Sequence, residues 1–290
     1  MVPIVEPAIR PPSEADSFLL QVTLGCSSNT CTFCGAYQNK PFRIKSLSEI
    51  GNDIDKQRKL NPEVRRVFLM DGDALAVKNE LLLAVLGKLI AAFPALTRIS
   101  TYANGHNISG RSDEDLRRLF NNKLRLIYLG LESGSQRVLD LRRKRASVAE
   151  MVESLKRSAR FGIKSSVIVL LGIGGKDHSQ EHVRETILAL NQMQPRYLSF
   201  LSLMVIPQTP LAREAAIGEF RELEPHELLR EAYDIIEGLS LSRTVFRCNH
   251  ASNYFALEAR LPHDKEKLLE SLKAAIRGEV SLRPEIFRGL

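Results

Sequence analysis

Short apolar runs and longer amphipathic stretches alternate along this chain, and the alternation repeats six times. The apolar runs are rich in Val, Ile and Leu and are bounded by turn-forming residues, which predicts buried β-strands. The stretches between them carry apolar residues three and four positions apart, which predicts α-helices with one buried face. We predict strands at residues 17–23, 67–70, 98–102, 124–129, 165–171 and 197–205, with helices from 46, at 79–93, from 112, 147 and 179, and at 225–239.

Serine residues mark where several of these helices begin. Ser46 and Glu49 have the spacing of a capping box, and Ser147 and Glu150 repeat it. We expect Ser179 to cap the helix that precedes the sixth strand. Strict alternation of strand and helix is typical of parallel strands in a barrel or a doubly wound sheet, so the predicted fold class is α/β.

Two segments lie outside the alternation. Residues 1–16 form an irregular leader in which Pro11 and Pro12 are expected to prevent helix formation. Residues 241–290 form a C-terminal extension, predicted to cover the body at 17–240 and to hold a strand at 244–247 and a helix at 263–276. No Gly/Ser-rich linker divides the chain, so we expect one domain with an extension.

Composition narrows the class of protein. The 290 residues carry 41 Lys and Arg against 34 Asp and Glu, a formal net charge of +7. This excess fits a solubilising surface, or a site for an anionic substrate or RNA, but no basic run is interleaved with aromatic residues and Trp is absent. No secretory signal and no apolar run long enough to span a bilayer is present, so we expect a cytoplasmic protein without membrane contact.

Three of the four cysteines lie close together in the loop after the first strand. Cys26, Cys31 and Cys34 have the spacing C-x4-C-x2-C. In a reducing compartment this spacing favours metal ligands over disulfides, and soft thiolates suit an iron–sulfur cluster. Structural zinc needs a fourth ligand, which the local sequence lacks, and unligated thiols are the third alternative. The fourth cysteine, Cys248, is interpreted as a buried free thiol.

The cysteine loop resembles that of the radical SAM superfamily, with Phe33 as the aromatic residue before the last cysteine. The usual family spacing is C-x3-C-x2-C, so this chain has one extra residue between Cys26 and Cys31. The resemblance implies a [4Fe–4S] cluster on Cys26, Cys31 and Cys34, with an open iron that binds S-adenosylmethionine (SAM). It also implies a partial (β/α)6 TIM-like barrel.

Other strand ends resemble the SAM-binding motifs of the same family. Asp71-Gly72-Asp73 is similar to the motif that receives the SAM amino group, and GLESGS at 130–135 resembles a motif of the branch containing oxygen-independent coproporphyrinogen oxidase and the methylthiotransferases. The segment 166–175 is similar to the one that packs against adenine. The SAM-binding residues implied by the resemblance are Phe33, Gly72, Asp73, Tyr102, Asn104, Glu132, Ser166 and Gly172. A lone Asp-Gly-Asp is otherwise an ordinary turn.

The polar cluster NHASNY at 249–254 is the feature that these motifs leave least explained. We predict that it contacts substrate, with His250 and Asn253 as candidate catalytic residues, because its side chains can both donate and accept protons or hydrogen bonds. The alternative is a polar loop that caps the next segment. The basic segment 137–145 is interpreted either as a solvated helix face or as a site for a carboxylate.

The resemblance implies an enzyme that cleaves SAM reductively and uses a 5′-deoxyadenosyl radical to abstract hydrogen from substrate. It implies an external electron donor similar to flavodoxin or ferredoxin. The absence of a second cysteine cluster and of an RNA-binding module favours a small or medium organic substrate, and leaves nucleic acid without a supporting motif. The alternative functions are a non-catalytic iron–sulfur electron carrier or regulator, and a zinc-dependent binding module.

Overall fold

The computed structural model describes residues 2–289, and its contacts divide the chain into two compact units. The first unit comprises residues 1–29, 36–129 and 154–165, and the second comprises residues 30–35, 130–153 and 166–290. The boundaries fall inside the cysteine loop, near the end of one strand, within one helix and near the start of another strand. The predicted domain limits at residues 17 and 241 remain a prediction.

The first unit is built on four parallel strands in the order β1-β4-β5-β6. Its sheet carries Leu69 and Phe68 fully buried, and the leucines of α2 and Phe93 pack in the same core. The strands of this unit are β1 (Phe18–Gln21), β4 (Arg66–Met70), β5 (Arg98–Ala103) and β6 (Leu124–Glu132, whose last three residues belong to the second unit), with a short antiparallel pair β2 (Thr23–Leu24) and β3 (Arg43–Ile44). The helices are α1 (Leu47–Leu60), α2 (Asn79–Ala92), α3 (Gly105–Ser109) and α4 (Asp113–Asn121).

The second unit continues the alternation with strands in the order β7-β8-β9-β10, of which only the last pair is antiparallel. Phe200 and Phe246 meet edge to face at 4.9 Å in its core. Its strands are β7 (Lys164–Leu171), β8 (Tyr197–Ser202), β9 (Thr244–Arg247) and β10 (Glu258–Leu261). Its helices are α5 (Gln136–Leu141), α6 (Val148–Arg160, shared with the first unit), α7 (Gly175–Met193), α8 (Pro210–Ala216), α9 (Pro225–Gly238) and α10 (Lys265–Ile276).

The predicted α/β class is confirmed, and mostly parallel strands alternating with helices are consistent with a partial barrel. The capping box at Ser46 is present with both of its hydrogen bonds, and the hydroxyl of Ser147 accepts from the amide of Glu150. Sequence patterns missed several short elements, among them α3, α8, β3 and β10, because each lacks a full amphipathic period.

Two local predictions are wrong. Ser179 does not cap α7, since that helix begins one turn earlier at Gly175, and its hydroxyl donates instead to Glu231 at 2.6 Å. Pro12 does not prevent helix formation, because Pro12–Glu14 form a short 3-10 helix in which proline occupies the first position. Proline fits that position since its missing N–H has no partner in a first turn.

The leader is part of the first unit and is fixed by a buried carboxylate. Glu14 is fully buried and accepts hydrogen bonds from Arg98 at 2.9 Å, Ser100 at 2.9 Å and Tyr128 at 2.6 Å. Burying a carboxylate is unfavourable unless donors surround it, and β5 and β6 supply those donors. The leader is therefore packed on the sheet of this unit.

Candidate functional site

The three clustered cysteines fall into different units. Cys26 belongs to the first unit, while Cys31 and Cys34 belong to the second. All three side chains are half-buried, whereas Cys248 is buried, and burial raises the pKa of its thiol to about 12.

In the first unit, residues 25–27 of the cysteine loop are paired with residues 71–73 after β4. The amide of Gly25 donates to the Asp71 carboxylate at 2.9 Å, and the amide of Gly72 donates to the carbonyl of Gly25 at 3.0 Å. The hydroxyl of Ser27 donates to Asp73. This pairing follows from the sheet, because β1 and β4 are parallel neighbours and their carboxyl ends meet.

Gly72 lies directly against Cys26. A Cβ placed on Gly72 would come within 2.5 Å of the Cys26 Cβ and 3.0 Å of its Sγ. The absence of a side chain at Gly72 therefore leaves the space that Cys26 occupies. We find here a steric reason for glycine between the two aspartates.

Asp71, which sequence analysis assigned no role, forms a buried ion pair with Lys40. The Lys40 Nζ lies 2.7 Å from the Asp71 Oδ2, and the two side chains are 6% and 0% exposed. Lys40 also donates to the leader carbonyls of Val5 at 2.6 Å and Pro7 at 2.8 Å. Because Asp71 binds the Gly25 amide as well, this pair joins both ends of the cysteine loop to the end of β4.

Asp73 is fully buried and accepts hydrogen bonds from Ser27 and Asn107. Burial raises the pKa of its carboxyl, and the hydrogen bond from Ser27 opposes that shift. A side-chain hydrogen bond with Asn104, at the end of β5, also opposes the upward shift of the Asp73 pKa.

Tyr102 lies in the same unit on β5, in a group of aromatic rings. Its ring contacts Phe68 at 5.1 Å and Tyr128 at 6.1 Å, both edge to face. These contacts fix the ring plane. The phenol of Tyr128 is held by Glu14, so Tyr102 is connected to the leader through its neighbours.

In the second unit, the segment that carries Cys31 and Cys34 is fixed by its backbone. The carbonyl of Thr32 accepts from the amide of Leu211 at 3.0 Å, and its own amide donates to the carbonyl of Arg142 at 2.9 Å. Phe33 packs against an apolar cluster that includes Leu211 and Ile173. The aromatic residue predicted to contact cofactor is thus also a packing residue.

Glu132 ends β6 in a left-handed backbone conformation, with φ of 60°. Its Oε1 lies 3.3 Å from the Nζ of Lys144, and both side chains are largely buried. A Cβ on Gly130 would lie 2.2 Å from the same oxygen, so glycine at this position leaves room for the carboxylate. The GLESGS segment therefore presents Glu132 as a paired acid.

Gly172 follows β7 with φ of 82° and is held by a buried glutamate. Its amide donates to Glu231 at 2.7 Å. Burial raises the pKa of Glu231 to about 7, while the hydrogen bond from Ser179 opposes the shift. Ser166 lies near the opposite end of β7, about 20 Å from Gly172 at the usual rise per residue, so the structure does not bring these two predicted residues together.

A buried polar group surrounds Glu231, and the sequence pattern, which favours a surface or cap position for His182, does not predict it. His182 of α7 is completely buried, its Nδ1 lies 2.9 Å from the Ser133 Oγ, and its Nε2 lies 3.9 Å from Glu231. Burial lowers the pKa of His182 to about 4, so the ring is neutral at pH 7. No motif marks these residues, because α7 and α9 are about 50 positions apart and their contact is tertiary.

His250 and Asn253 occupy different environments in the second unit. Asn253 is buried, donates to the carbonyl of Phe200 at 2.8 Å and accepts from the hydroxyl of Ser202 at 2.9 Å. His250 is half-buried, and its Nδ1 accepts from the Ser252 amide at 3.1 Å. Burial lowers the pKa of His250, and the charge of Arg283 adds to the effect. Their catalytic roles stay predictions, and Asn253 has the contacts of a residue that holds the loop on β8.

The donor set fits a thiolate-ligated cluster. Three half-buried cysteines supply soft ligands, and glycine at position 72 avoids a clash with the side chain of Cys26. Within residues 2–289, no group of three His, Cys, Asp or Glu side chains is arranged around a single ion. The ligands of a [4Fe–4S] cluster bind separate irons. Among the same residues, no helix has the length and apolarity needed to cross a bilayer.

The fold and the site define a mostly parallel α/β protein with a cysteine loop after its first strand. A family model described as the radical SAM superfamily matches residues 20–190, which is more than half of the chain. The protein therefore belongs to the radical SAM superfamily.

Solved structures show the same fold at low identity. Methylornithine synthase is 13% identical with a TM-score of 0.54, over 78% of this chain and 63% of that one. Coproporphyrinogen III oxidase from Escherichia coli is 13% identical with a TM-score of 0.55, over 76% and 50%. The methyltransferase TsrM from Kitasatospora setae is 15% identical with a TM-score of 0.56, over 69% and 38%. At these identities the likeness shows the fold alone.

A curated relative from Methanocaldococcus jannaschii, described as an uncharacterized protein, is 27% identical over 114 residues. The match covers 39% of this chain and 35% of the relative, so the chain matches about a third of that protein's length. The branch within the superfamily is not resolved by these similarities, and the branch predicted from GLESGS remains a prediction.

Proposed function

We propose that this protein is a radical SAM enzyme that binds a [4Fe–4S] cluster through Cys26, Cys31 and Cys34. When bound, the cluster supplies the electron that cleaves SAM to methionine and a 5′-deoxyadenosyl radical, which takes a hydrogen atom from an organic substrate. The observation that carries this proposal is the pairing of residues 25–27 with residues 71–73, because it fixes Cys26 beside a buried acid. Membership of the radical SAM superfamily supports the proposed cleavage of SAM.

The chain's own residues would bind and orient SAM. Asp73 is an acceptor suited to an ammonium group, and its position is fixed by Ser27 and Asn107. Glu132 offers a second acceptor, held by Lys144, for hydroxyl or amino groups. The turn at Gly172 offers backbone to the adenine, and Glu231 holds that turn. Phe33, Tyr102 and Asn104 are proposed as further contacts, whereas Ser166, at the amino end of β7, is not.

A small or medium organic substrate and a flavodoxin- or ferredoxin-like electron donor are part of the proposal. The electron donor is supported by membership of the family, and the substrate class is supported only by the lack of an RNA-binding motif in the sequence. His250 and Asn253 are proposed to lie at the substrate. The cofactor carries the difficult chemistry, while the protein orients it and excludes water.

Anaerobic reconstitution with iron and sulfide, followed by dithionite and SAM, tests the proposal. We expect 5′-deoxyadenosine to form, and we expect Cys31→Ala to abolish it while lowering bound iron and sulfide. Cys248→Ala is the matched control, since its thiol is buried and its raised pKa keeps it protonated. An intact cluster that yields no 5′-deoxyadenosine would favour a non-catalytic iron–sulfur carrier or regulator instead.

A further inference from the structure

A basic turn, which we define as residues 142–145, lies on the segment that carries Cys31. The carbonyl of Arg142 accepts from the amide of Thr32 at 2.9 Å, and the carbonyl of Arg143 accepts from the hydroxyl of Thr30 at 3.1 Å. Both neighbours of Cys31 in the sequence are thus hydrogen-bonded to this turn. The turn is therefore a fixed part of the surface beside the cysteine loop.

The side chains of the basic turn alternate between inward and outward positions. Arg142 is buried, pairs with Glu214 at 2.8 Å and lies 5.0 Å from the Phe220 ring, while Lys144 pairs with Glu132. These two hold the turn in place. Arg143 and Arg145 are exposed and form no ion pair among residues 2–289.

A third exposed arginine, Arg137 on α5, lies close to the basic turn. Gln136 donates to the carbonyl of Ala146 at 3.2 Å and accepts from the amide of Val148 at 3.0 Å. These bonds bring the start of α5 next to the end of the turn. The carboxylate of α5, Asp140, accepts a bond from the Gln136 amide at 2.9 Å. Arg137, Arg143 and Arg145 are thus three exposed arginines on adjoining segments, and together with the exposed carboxylate of Asp140 they leave a net positive patch.

We propose that this patch is the docking surface for the electron donor, an acidic one-electron-transfer protein. The inference rests on the proposed function, which requires such a donor. Electron transfer between proteins needs a short path between the redox groups, and the patch is hydrogen-bonded to the segment that carries Cys31. Exposed positive charges attract and orient an acidic partner, and they act mainly on the association rate.

Nucleic acid is the competing partner for a positive patch. Proteins that bind single strands usually place aromatic rings among the basic residues so that bases can stack. Residues 136–146 contain no Phe, Tyr or Trp, and the ring under Arg142, that of Phe220, is buried. The observations therefore favour an acidic protein.

The test measures binding of a reduced, FMN-containing flavodoxin to the reconstituted protein at low salt, about 50 mM, and at high salt, about 300 mM. We expect Arg143→Glu with Arg145→Glu to weaken binding about tenfold or more at low salt and to reduce the salt dependence. The matched control is Arg243→Glu with Lys267→Glu, which changes the net charge equally at exposed positions of the same unit. We expect the control to change affinity by less than about twofold.

Cleavage of SAM driven by dithionite separates this proposal from the proposed function. Dithionite needs no docking surface, so the Arg143/Arg145 variant should form 5′-deoxyadenosine at the wild-type rate with dithionite and more slowly with flavodoxin. The docking surface is overturned if the Arg143/Arg145 variant and the Arg243/Lys267 control weaken flavodoxin binding equally, or if the Arg143/Arg145 variant binds flavodoxin as tightly as the wild type. If the Arg143/Arg145 variant loses binding to bulk transfer RNA but still binds flavodoxin, the patch is a nucleic-acid site and the docking proposal is wrong. Failure of the wild type with dithionite is evidence against the proposed function alone.

Discussion

Replacing Lys40 by Met tests whether the buried ion pair with Asp71 holds the cysteine loop. Met fills a similar volume but leaves the Asp71 carboxylate, 0% exposed, without its cation. Removing one partner of a buried pair costs about 3–5 kcal/mol, because the remaining charge stays buried and uncompensated. For 290 residues the entropy of unfolding is roughly 0.6 kcal/mol/K, so we expect the unfolding midpoint of the apoprotein to fall by roughly 5–8 °C.

The double variant Lys40→Met with Asp71→Asn separates the charge effect from lost packing. Asn keeps an oxygen that can accept from the Gly25 amide but carries no charge, so the double variant should be more stable than Lys40→Met alone. The assay is thermal unfolding of the apoprotein, combined with hydrogen exchange of peptides spanning residues 20–40. Exchange in that region should rise in Lys40→Met, and iron should be lost faster from the reconstituted protein.

The matched control for this experiment is Lys273→Met, which breaks an exposed pair with Glu270. Exposed pairs contribute little, so its midpoint should stay close to that of the wild type. The reasoning is refuted if Lys40→Met unfolds within about 2 °C of the wild type, or if the double variant is no more stable than the single one.

Two further predictions concern Gly72 and Glu231. Gly72→Ala should lower iron retention at least severalfold, because the new Cβ would lie 2.5 Å from the Cys26 Cβ. Its control is Gly87→Ala on the exposed side of α2, where a Cβ meets nothing within 4 Å and should stabilise the chain by about 0.5–1 kcal/mol; equal iron contents in the two variants would contradict the prediction. Glu231 has its pKa raised from 4.5 to about 7 by burial, so the folded state keeps a proton that the unfolded chain loses. The free energy of unfolding of the wild type, minus that of Glu231→Gln, should therefore be largest below about pH 4.5. This difference should fall by on the order of 3 kcal/mol as the pH rises to about 7. Denaturant unfolding at several pH values measures this difference, and parallel profiles would refute it.

The periodicity of the chain predicted most of its helices and strands. Capping serines and buried apolar runs act over a few residues, so Ser46 with Glu49 and the strand at Val67 could be recognised directly. Short elements such as α8 were missed, and Ser179 was misread as a cap. The signal for a cap was present there, but Glu231, 52 positions later, takes that hydroxyl.

The candidate site was predicted in part. A motif resemblance singled out Cys26, Gly72 and Asp73, which the structure places next to one another, and their roles stay predictions. Asp71 was part of the same motif but had no role of its own, and the leader at residues 1–16 was treated as separate from the body at 17–240. Lys40 had no signal at all, since an isolated lysine in a loop is usually solvated.

The α/β class and the cysteine loop after the first strand could be read from local patterns in the sequence. The residues that fix that loop become apparent only in the folded chain. The reason is that parallel strands bring their carboxyl ends together over long separations in sequence, here 46 positions between Gly25 and Asp71. Which residue pairs with a buried charge depends on this proximity and on the exclusion of water, and neither can be predicted from the neighbouring residues in the sequence.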